Sequence, residues 1–543
     1  MKTLNKALIF SLAAVSLTAC EDLDVTQYSK YVTSEQKQEV LARNPEMASA
    51  SVAGIASIMS TYMTTYSNHF DFGYPGIMIG LDLQTNDYVC DWTGYNWYRY
   101  WQGFTSPSPS GTPSGMAWYH IFDQIYNCNA VAGSIPADAT DATLKFYRAQ
   151  AVGTRAFDYL VLAQLYQFNY ALVGTEAKCV PIITDENQAE AAQNGAPRAT
   201  VGEVYDQIIK DATEAITLME NTTVTREQCM ASKPKRMLST AVAYGIRARA
   251  YMAMHKYTEA AADAQSAIAK FEGAPFEMTD VNHPTFISLD EKSWMWGIAI
   301  AETDRVVTSG IVNFPSMMNT FAEGGYVAVG AFKYCDERLF KQIPTTDVRK
   351  GWFIDANRKS KNLTAAQQAY INSYGEDIYV YTNVKFGPYK NELPMSVCAN
   401  DVPLMRIEEM HYIYAEALAR SGNAPGAKDY FEKFIKAYRN PTYTMTGSTA
   451  EEVAEAIYQD KRVEFWGEGI MFFDMMRLDK GIDRKNSNWP LANEIVVPSY
   501  SQDKSAGKDE AGVLIYCIPQ AEINANPAIS ASDNNPSCLA PKP

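Results

Sequence analysis

Arg247-Ala-Arg-Ala-Tyr251-Met-Ala-Met-His-Lys256-Tyr-Thr-Glu-Ala260-Ala-Ala-Asp-Ala264-Gln-Ser-Ala267 and, 167 residues further on, Tyr414-Ala415-Glu-Ala-Leu418-Ala-Arg-Ser-Gly-Asn423-Ala-Pro-Gly-Ala427-Lys-Asp-Tyr-Phe431-Glu-Lys-Phe434 follow one plan. In the first, Ala248 and Tyr251 precede a turn at Lys256, and Ala260, Ala264 and Ala267 follow it. In the second, Ala415 and Leu418 precede a turn at Ser421-Gly422-Asn423, and Ala427, Phe431 and Phe434 follow it. The separations are 3, 9, 4 and 3 in both. Positions three and four apart share a helix face, so each copy predicts two antiparallel helices. Small residues let the two approach, and larger ones fill the groove between pairs. The predicted pairs run over 236–254 with 257–271 and over 404–421 with 424–438. Helical periodicity extends outward to 143–169, 201–220 and 449–465.

Such a unit resembles the tetratricopeptide repeat, a helix–turn–helix of about 34 residues. The copies are far apart, so the array is interrupted. The interruption, 272–400, is rich in Gly, Pro and aromatics, with short strand-like runs at 294–300 and 378–384. Residues 67–120 read similarly and include the loop Ser106-Pro-Ser-Pro-Ser-Gly-Thr-Pro-Ser-Gly. The expected architecture is mostly α: interrupted tetratricopeptide-like pairs form a curved scaffold with large loop-rich inserts and small β elements. It is expected to be one unit over 46–543, comprising an aromatic loop region 67–120, helical repeats 143–271, the irregular insert 272–400, and C-terminal repeats and tail 401–543.

Composition bounds the function. The chain has 543 residues, 47% of them hydrophobic, and a net charge of -15. A large core can form, and with no basic stripe an acidic chain is a poor partner for nucleic acid. The N-terminus reads as an address. Lys2 and Lys6 precede a short apolar stretch, Ala7 to Ser16, too short to span a bilayer. It ends in Leu17-Thr18-Ala19-Cys20, which resembles the bacterial lipobox. That implies a signal peptide over 1–19, lipidation at Cys20, and an anchor and linker over 20–45. Glu21-Asp22-Leu23-Asp24 resembles the acidic export signal of surface lipoproteins in the Bacteroidetes. The eight other cysteines have no metal or redox spacing, and eight leave 105 pairings open. The sequence has no G-x-S-x-G, H-E-x-x-H, phosphate-cradling loop or dinucleotide fingerprint, and its five His are scattered. No enzyme, metal or cofactor is therefore expected.

Residues 88–104 stand out, with eight aromatics in 17 positions where the chain average of 12% gives about two. Trp92, Tyr95, Trp97, Tyr98 and Trp101 are interleaved with Asp91, Asn96, Arg99 and Gln102. Flat rings beside polar groups suit a saccharide, whose C–H face covers a ring while its hydroxyls find partners. The candidate ligand residues are Trp92, Tyr95, Asn96, Trp97, Tyr98 and Trp101. Asp82 and Asn86 are candidate hydroxyl partners, and Tyr326, on a Gly-flanked loop, is a second platform. The spacing of Trp97, Tyr100/Trp101 and Phe104 equally suits a buried helix face, and Asp82 and Asn86 equally suit a loop. Trp294 and Trp296 share strand parity in an apolar run and read as core.

Five further stretches carry a family resemblance. They are Trp118-Tyr119…Tyr126…Asn129; Arg155-Ala-Phe-Asp-Tyr159 with Leu165-Tyr166 and Val180-Pro181; Pro403…Arg406 with Tyr414-Ala-Glu416-Ala; Asp460-Lys-Arg462-Val-Glu464 with Glu468-Gly469 and Phe473-Asp474; and Tyr516-Cys-Ile-Pro519…Glu522 with Asn526-Pro527. In this order they resemble the SusD/RagB family of outer-membrane nutrient-binding lipoproteins. Gln167 and Met471 depart from its usual Gly and Arg. The resemblance implies a lipid-anchored protein of the cell outer membrane. It would capture oligosaccharides and deliver them to a SusC-like TonB-dependent transporter, with part of its ligand site in the N-terminal half. Capture of peptides or glycopeptides, or a scaffold that binds only protein, are the alternatives. Arg406, Glu416, Arg462, Glu464 and Glu468 read as ties between helices through charge-assisted hydrogen bonds.

Overall fold

The computed structural model describes residues 34–91, 95–104 and 108–535. The expected signal peptide and Cys20 lie outside them, and α1 covers Ser34–Arg43, within the segment expected to be anchor and linker. The other scaffold helices are α2 (Ser49–Ile58), α3 (Tyr74–Asp82), α4 (Thr112–Ala132), α5 (Ala142–Tyr166), α6 (Val201–Glu220), α7 (Thr240–Ala253), α8 (Tyr257–Lys270), α9 (Ile407–Arg420), α10 (Ala424–Tyr438) and α11 (Ala450–Glu464).

Local chemistry sets the starts. The Asp141 carboxylate accepts from the Thr143 and Leu144 N–H groups at 2.9 Å ahead of α5. Thr200 with Glu203 and Thr449 with Glu452 form capping boxes for α6 and α11, each satisfying donors the first turn leaves orphaned. The helices pack in sequence, α4 on α5, α5 on α6, α6 on α7 and α7 on α8. Then α8 packs directly on α9, and α9 on α10 and α11. The array interrupted in sequence is therefore continuous in space. Ala248, Ala260, Ala264, Ala267, Ala415 and Ala427 are fully buried at the close approaches, and Phe431 and Phe434 fill the second groove.

The insert leaves and returns through a two-stranded antiparallel ladder, β2 (Trp294–Ile298) with β4 (Val402–Arg406), which puts Trp294 opposite Arg406. Trp294 and Trp296 are core, as expected. The helix expected from residue 404 begins only at Ile407, because Val402–Arg406 is drawn into this ladder. A second ladder pairs β1 (Tyr88–Cys90) with β3 (Lys333–Cys335), Cys90 opposite Lys333. The run 378–384 makes no strand. It contributes single bridges at Thr382 and Asn383, with Tyr381 at a positive φ of 66° breaking the extension. Residues 67–120 are also less irregular than expected. They contain α3, buried along its whole length and so without an amphipathic period, and the first half of α4, where Pro113 opens the helix after Gly111.

The motif charges are structural. Arg406 donates to Glu468 at 2.8 Å and to Glu464 at 3.1 Å, and Arg439 donates to Glu464 and Glu408. Lys385 closes the cluster on Glu468 at 2.6 Å. Glu416 takes Arg477 and Arg420, and Arg462 takes Asp87. Each of these buried charges has a partner, the condition under which burial is tolerated.

Candidate functional site

The β1–β3 ladder builds the site. Its strands are antiparallel, so the chain leaving β1 at Cys90 and the chain entering β3 at Lys333 emerge at the same end. Trp97 lies seven residues beyond Cys90 and Tyr326 seven before Lys333. The two rings meet with centroids 6.2 Å apart at 74°. Tyr95 leans on Tyr326 at 6.4 Å, and His69 stacks on Trp97 at 4.5 Å and 17°. His69 Nδ1 also hydrogen-bonds the Tyr326 hydroxyl. Burial pushes the His69 pKa down, so the imidazole is neutral at pH 7.

Each member is held from behind. His69 rides on a loop, 59–74, closed at its base by Tyr74 N–H to Met59 O at 2.9 Å. Inside the loop the Asp71 carboxylate accepts from the Thr65 and Tyr66 N–H groups, each at 2.7 Å. Tyr326 is 5% exposed and far from a loose loop. Its N–H donates to Ser316 Oγ at 3.2 Å, and Ala331 N–H donates to its carbonyl. Gly325 passes so close to Ser316 that a Cβ would lie 2.9 Å from the Ser316 carbonyl oxygen. The turn before Trp97 is organised by Asn96. Asn96 Nδ2 donates to Gln102 Oε1 at 2.5 Å and to Asp91 O, and its Oδ1 accepts from the Tyr98 N–H.

The nine sequence candidates therefore divide. Tyr95 is 52% exposed, and Trp97 is half-buried against His69 and Tyr326. These two and Tyr326 come together. Trp92 lies outside the described residues. Tyr98 and Trp101 are not available to a ligand, because they are core at 0% and 1% exposure, with Trp101 packed on Phe70 at 5.2 Å. Asn96 is buried as the turn organiser. Asp82 is not a hydroxyl partner either. It is buried and accepts from the Gly469 N–H at 2.9 Å, and burial, then Glu468 nearby, pushes its pKa up to about 8. Asn86 is taken up by Gly481 O and Asp483 N–H. The residue the sequence reading missed is His69. Its partner Tyr326 is 257 positions away, and no local pattern marks it.

A neutral imidazole, an indole and two phenols meet at angles, with the Tyr95 ring exposed, Trp97 and His69 partly exposed, and the buried Tyr326 ring closing the cluster through its hydroxyl on His69. Such a surface stacks on C–H faces and offers weak donors, without a nucleophile–base pair. Two carboxylates nearby in the sequence are already engaged, Asp71 with its loop and Asp91 as acceptor for the Tyr379 hydroxyl. Among the described residues, no group of His, Cys, Asp and Glu is arranged to hold a metal, and no helix is long and apolar enough to cross a membrane.

Comparisons with known proteins bear on this arrangement. The sequence model of the SusD family matches residues 276–536, and that of "Starch-binding associating with outer membrane" matches residues 23–252. No curated protein matches. A SusD-like carbohydrate binding protein from Bacteroides vulgatus superposes with a TM-score of 0.71 at 22% identity, over 94% of this chain and 100% of that one. A SusD superfamily protein from Bacteroides thetaiotaomicron gives 0.68 at 18%, over 93% and 100%. Surface glycan-binding protein A from the same organism, solved with laminarihexaose, gives 0.62 at 16%, over 89% and 98%. With the ordered motifs, the interrupted helical array and these matches together, the chain belongs to the SusD/RagB family of glycan-binding proteins.

Proposed function

We propose that this protein captures oligosaccharides on the platform of Tyr95, Trp97, His69 and Tyr326, and delivers them to a partner TonB-dependent outer-membrane transporter from a lipid anchor at Cys20. The observation that carries the reading is the cluster itself. Segments from the N-terminal and middle regions converge so that Tyr95 is exposed and Trp97 and His69 are partly exposed, with the buried Tyr326 ring packed against them. Stacking on a tilted pair of rings selects a curved sugar chain more readily than an extended peptide, which would want an open strand edge. The protein binds without cleaving, in keeping with the engaged carboxylates around the platform.

Isothermal titration with panels of neutral oligosaccharides and of peptides tests the reading. Oligosaccharide binding that falls about tenfold or more in Trp97→Ala and Tyr326→Ala supports it. Binding of peptides alone, or glycan binding indifferent to both substitutions, rejects it.

A further inference from the structure

The loop that carries His69 also lines a cavity apart from the aromatic cluster. It has a volume of about 310 Å³ and is walled by Ser60, Tyr62, Ser232, Arg236, Asp304 and Arg305. The Arg305 guanidinium lies 4.5 Å over the Tyr62 ring and, among the described residues, has no carboxylate within ion-pair distance. Arg236 donates its Nε–H to the Met230 sulfur, and its two terminal nitrogens have no protein partner among the described residues. Burial pushes its pKa down, with Asp304 opposing. The third cation at the rim, Lys233, is already matched by Asp401 at 2.6 Å. Asp304 turns an oxygen to the Ala301 N–H at 2.8 Å and forms no ion pair with either arginine.

This arrangement is unusual in this molecule. Most described arginines are tied to carboxylates, and Arg198 and Arg484, which are not, spend their N–H groups mainly on backbone carbonyls. The exposed Arg43 and Arg99 do neither, and nor do Arg236 and Arg305, but the last two line one cavity, in a chain whose net charge is -15. A partly desolvated guanidinium without a counter-ion, as at Arg236, is costly. Its planar fork fits a carboxylate or sulfate through paired N–H···O bonds. The hydroxyls of Ser60 and Ser232 add donors to the same wall.

We propose that this cavity is an anion subsite that holds a carboxylate or sulfate substituent of an acidic oligosaccharide, with Arg236 and Arg305 as the binding residues. The inference rests on the reading of the aromatic platform as an oligosaccharide site, with which the cavity shares the 59–74 loop. Titration calorimetry at low salt tests it with three probe pairs: oligogalacturonate, oligoalginate and chondroitin sulfate fragments, each beside its methyl-esterified or desulfated counterpart. Esterification neutralises the carboxylates of the first two probes, and desulfation removes the sulfates of the third while keeping its uronate carboxylates, so the pairs separate the two anions.

For at least one pair, the anionic form is expected to bind about tenfold or more tightly. Arg236→Gln with Arg305→Gln should erase that preference and leave affinity for the methyl-esterified or neutral oligosaccharides unchanged. Arg305→Gln alone, at an exposed position, should lower the preference without risk to folding. Equal binding of both members of every pair overturns the proposal, as does a double substitution that leaves the preference intact. Either result leaves the oligosaccharide reading standing if neutral glycans still bind in a Trp97-dependent way. If no glycan binds, both readings fall.

Discussion

Trp97 and Trp101 sit four positions apart in one aromatic run, yet one faces the platform and the other the core. Composition could mark the run but not divide it. The division depends on an irregular turn organised by Asn96 and on a positive φ at Phe104, neither of which follows a period of 2 or 3.6. The two tryptophans should therefore respond oppositely. Trp101→Ala removes a ring packed against Phe70 and Gly80 and is expected to cost about 3–5 kcal/mol of unfolding free energy in urea titrations. The folded fraction should still bind glycan. Trp97→Ala should weaken binding with little loss of stability. His69 adds a pH signature. Its folded pKa lies below the ordinary histidine value, so glycan affinity should be level from pH 8 to pH 7 and fall only in more acidic buffer, as the ring protonates and ceases to accept from Tyr326. An affinity that already falls between pH 8 and 7 would assign the titration to another group.

At the scale of elements, the ladder between β1 and β3 unites two loops that the sequence keeps hundreds of residues apart. The sequence could nominate Tyr95, Trp97 and Tyr326 separately, because ring content and flanking glycines are local. It could not join them, because strands of three residues leave almost no pattern. Gly325→Val tests the join. A side chain there meets the Ser316 backbone, so Tyr326 should shift and glycan affinity fall, while a Cβ at Gly324, with open space around it, costs only backbone strain. The buried carboxyl of Asp82 tests another junction, between α3 and the Glu468-Gly469 turn. Its folded pKa, about 8, lies above the unfolded value of about 3.9. The stability it contributes is thus present in acid and lost as pH rises toward 8. Asp82→Asn cannot ionise and can still accept from Gly469. It is expected to be more stable than the parent at pH 8.5, by about 1–3 kcal/mol, with a shallower decline between pH 5 and pH 8. An unchanged slope would show that Asp82 is not the group responsible. Glu416 behaves in the opposite sense. Burial would raise it, but Arg477 and Arg420 hold it down at about 2, so its contribution is lost as pH falls from about 4.5 toward 2.

At the scale of the molecule, the repeat offsets made the helical scaffold readable, because packing of small residues at fixed spacing repeats wherever two helices approach. What the spacing could not reveal is that the two pairs stack on each other across the insert. That contact is made between α8 and α9, in three dimensions only. The insert is thus an excursion from one continuous array, which leaves through β2, returns through β4 and brings Tyr326 to the aromatic loop on the way. The whole-molecule reading also predicts location. Cys20→Ala protein should lose its membrane association when the transporter is absent, measured by fractionation of cells. Retention in the membrane fraction would reject the anchor.

The central claim is that sugar is held where the aromatic loop and the insert meet. The structure of the protein with its tightest-binding oligosaccharide tests it most directly. A pyranose face against Trp97 or Tyr95, with the Tyr326 ring beside it, is the predicted result. A glycan seated elsewhere, such as the open groove lined by Tyr119, Phe122 and Tyr126 between α4 and the C-terminal tail, would contradict it.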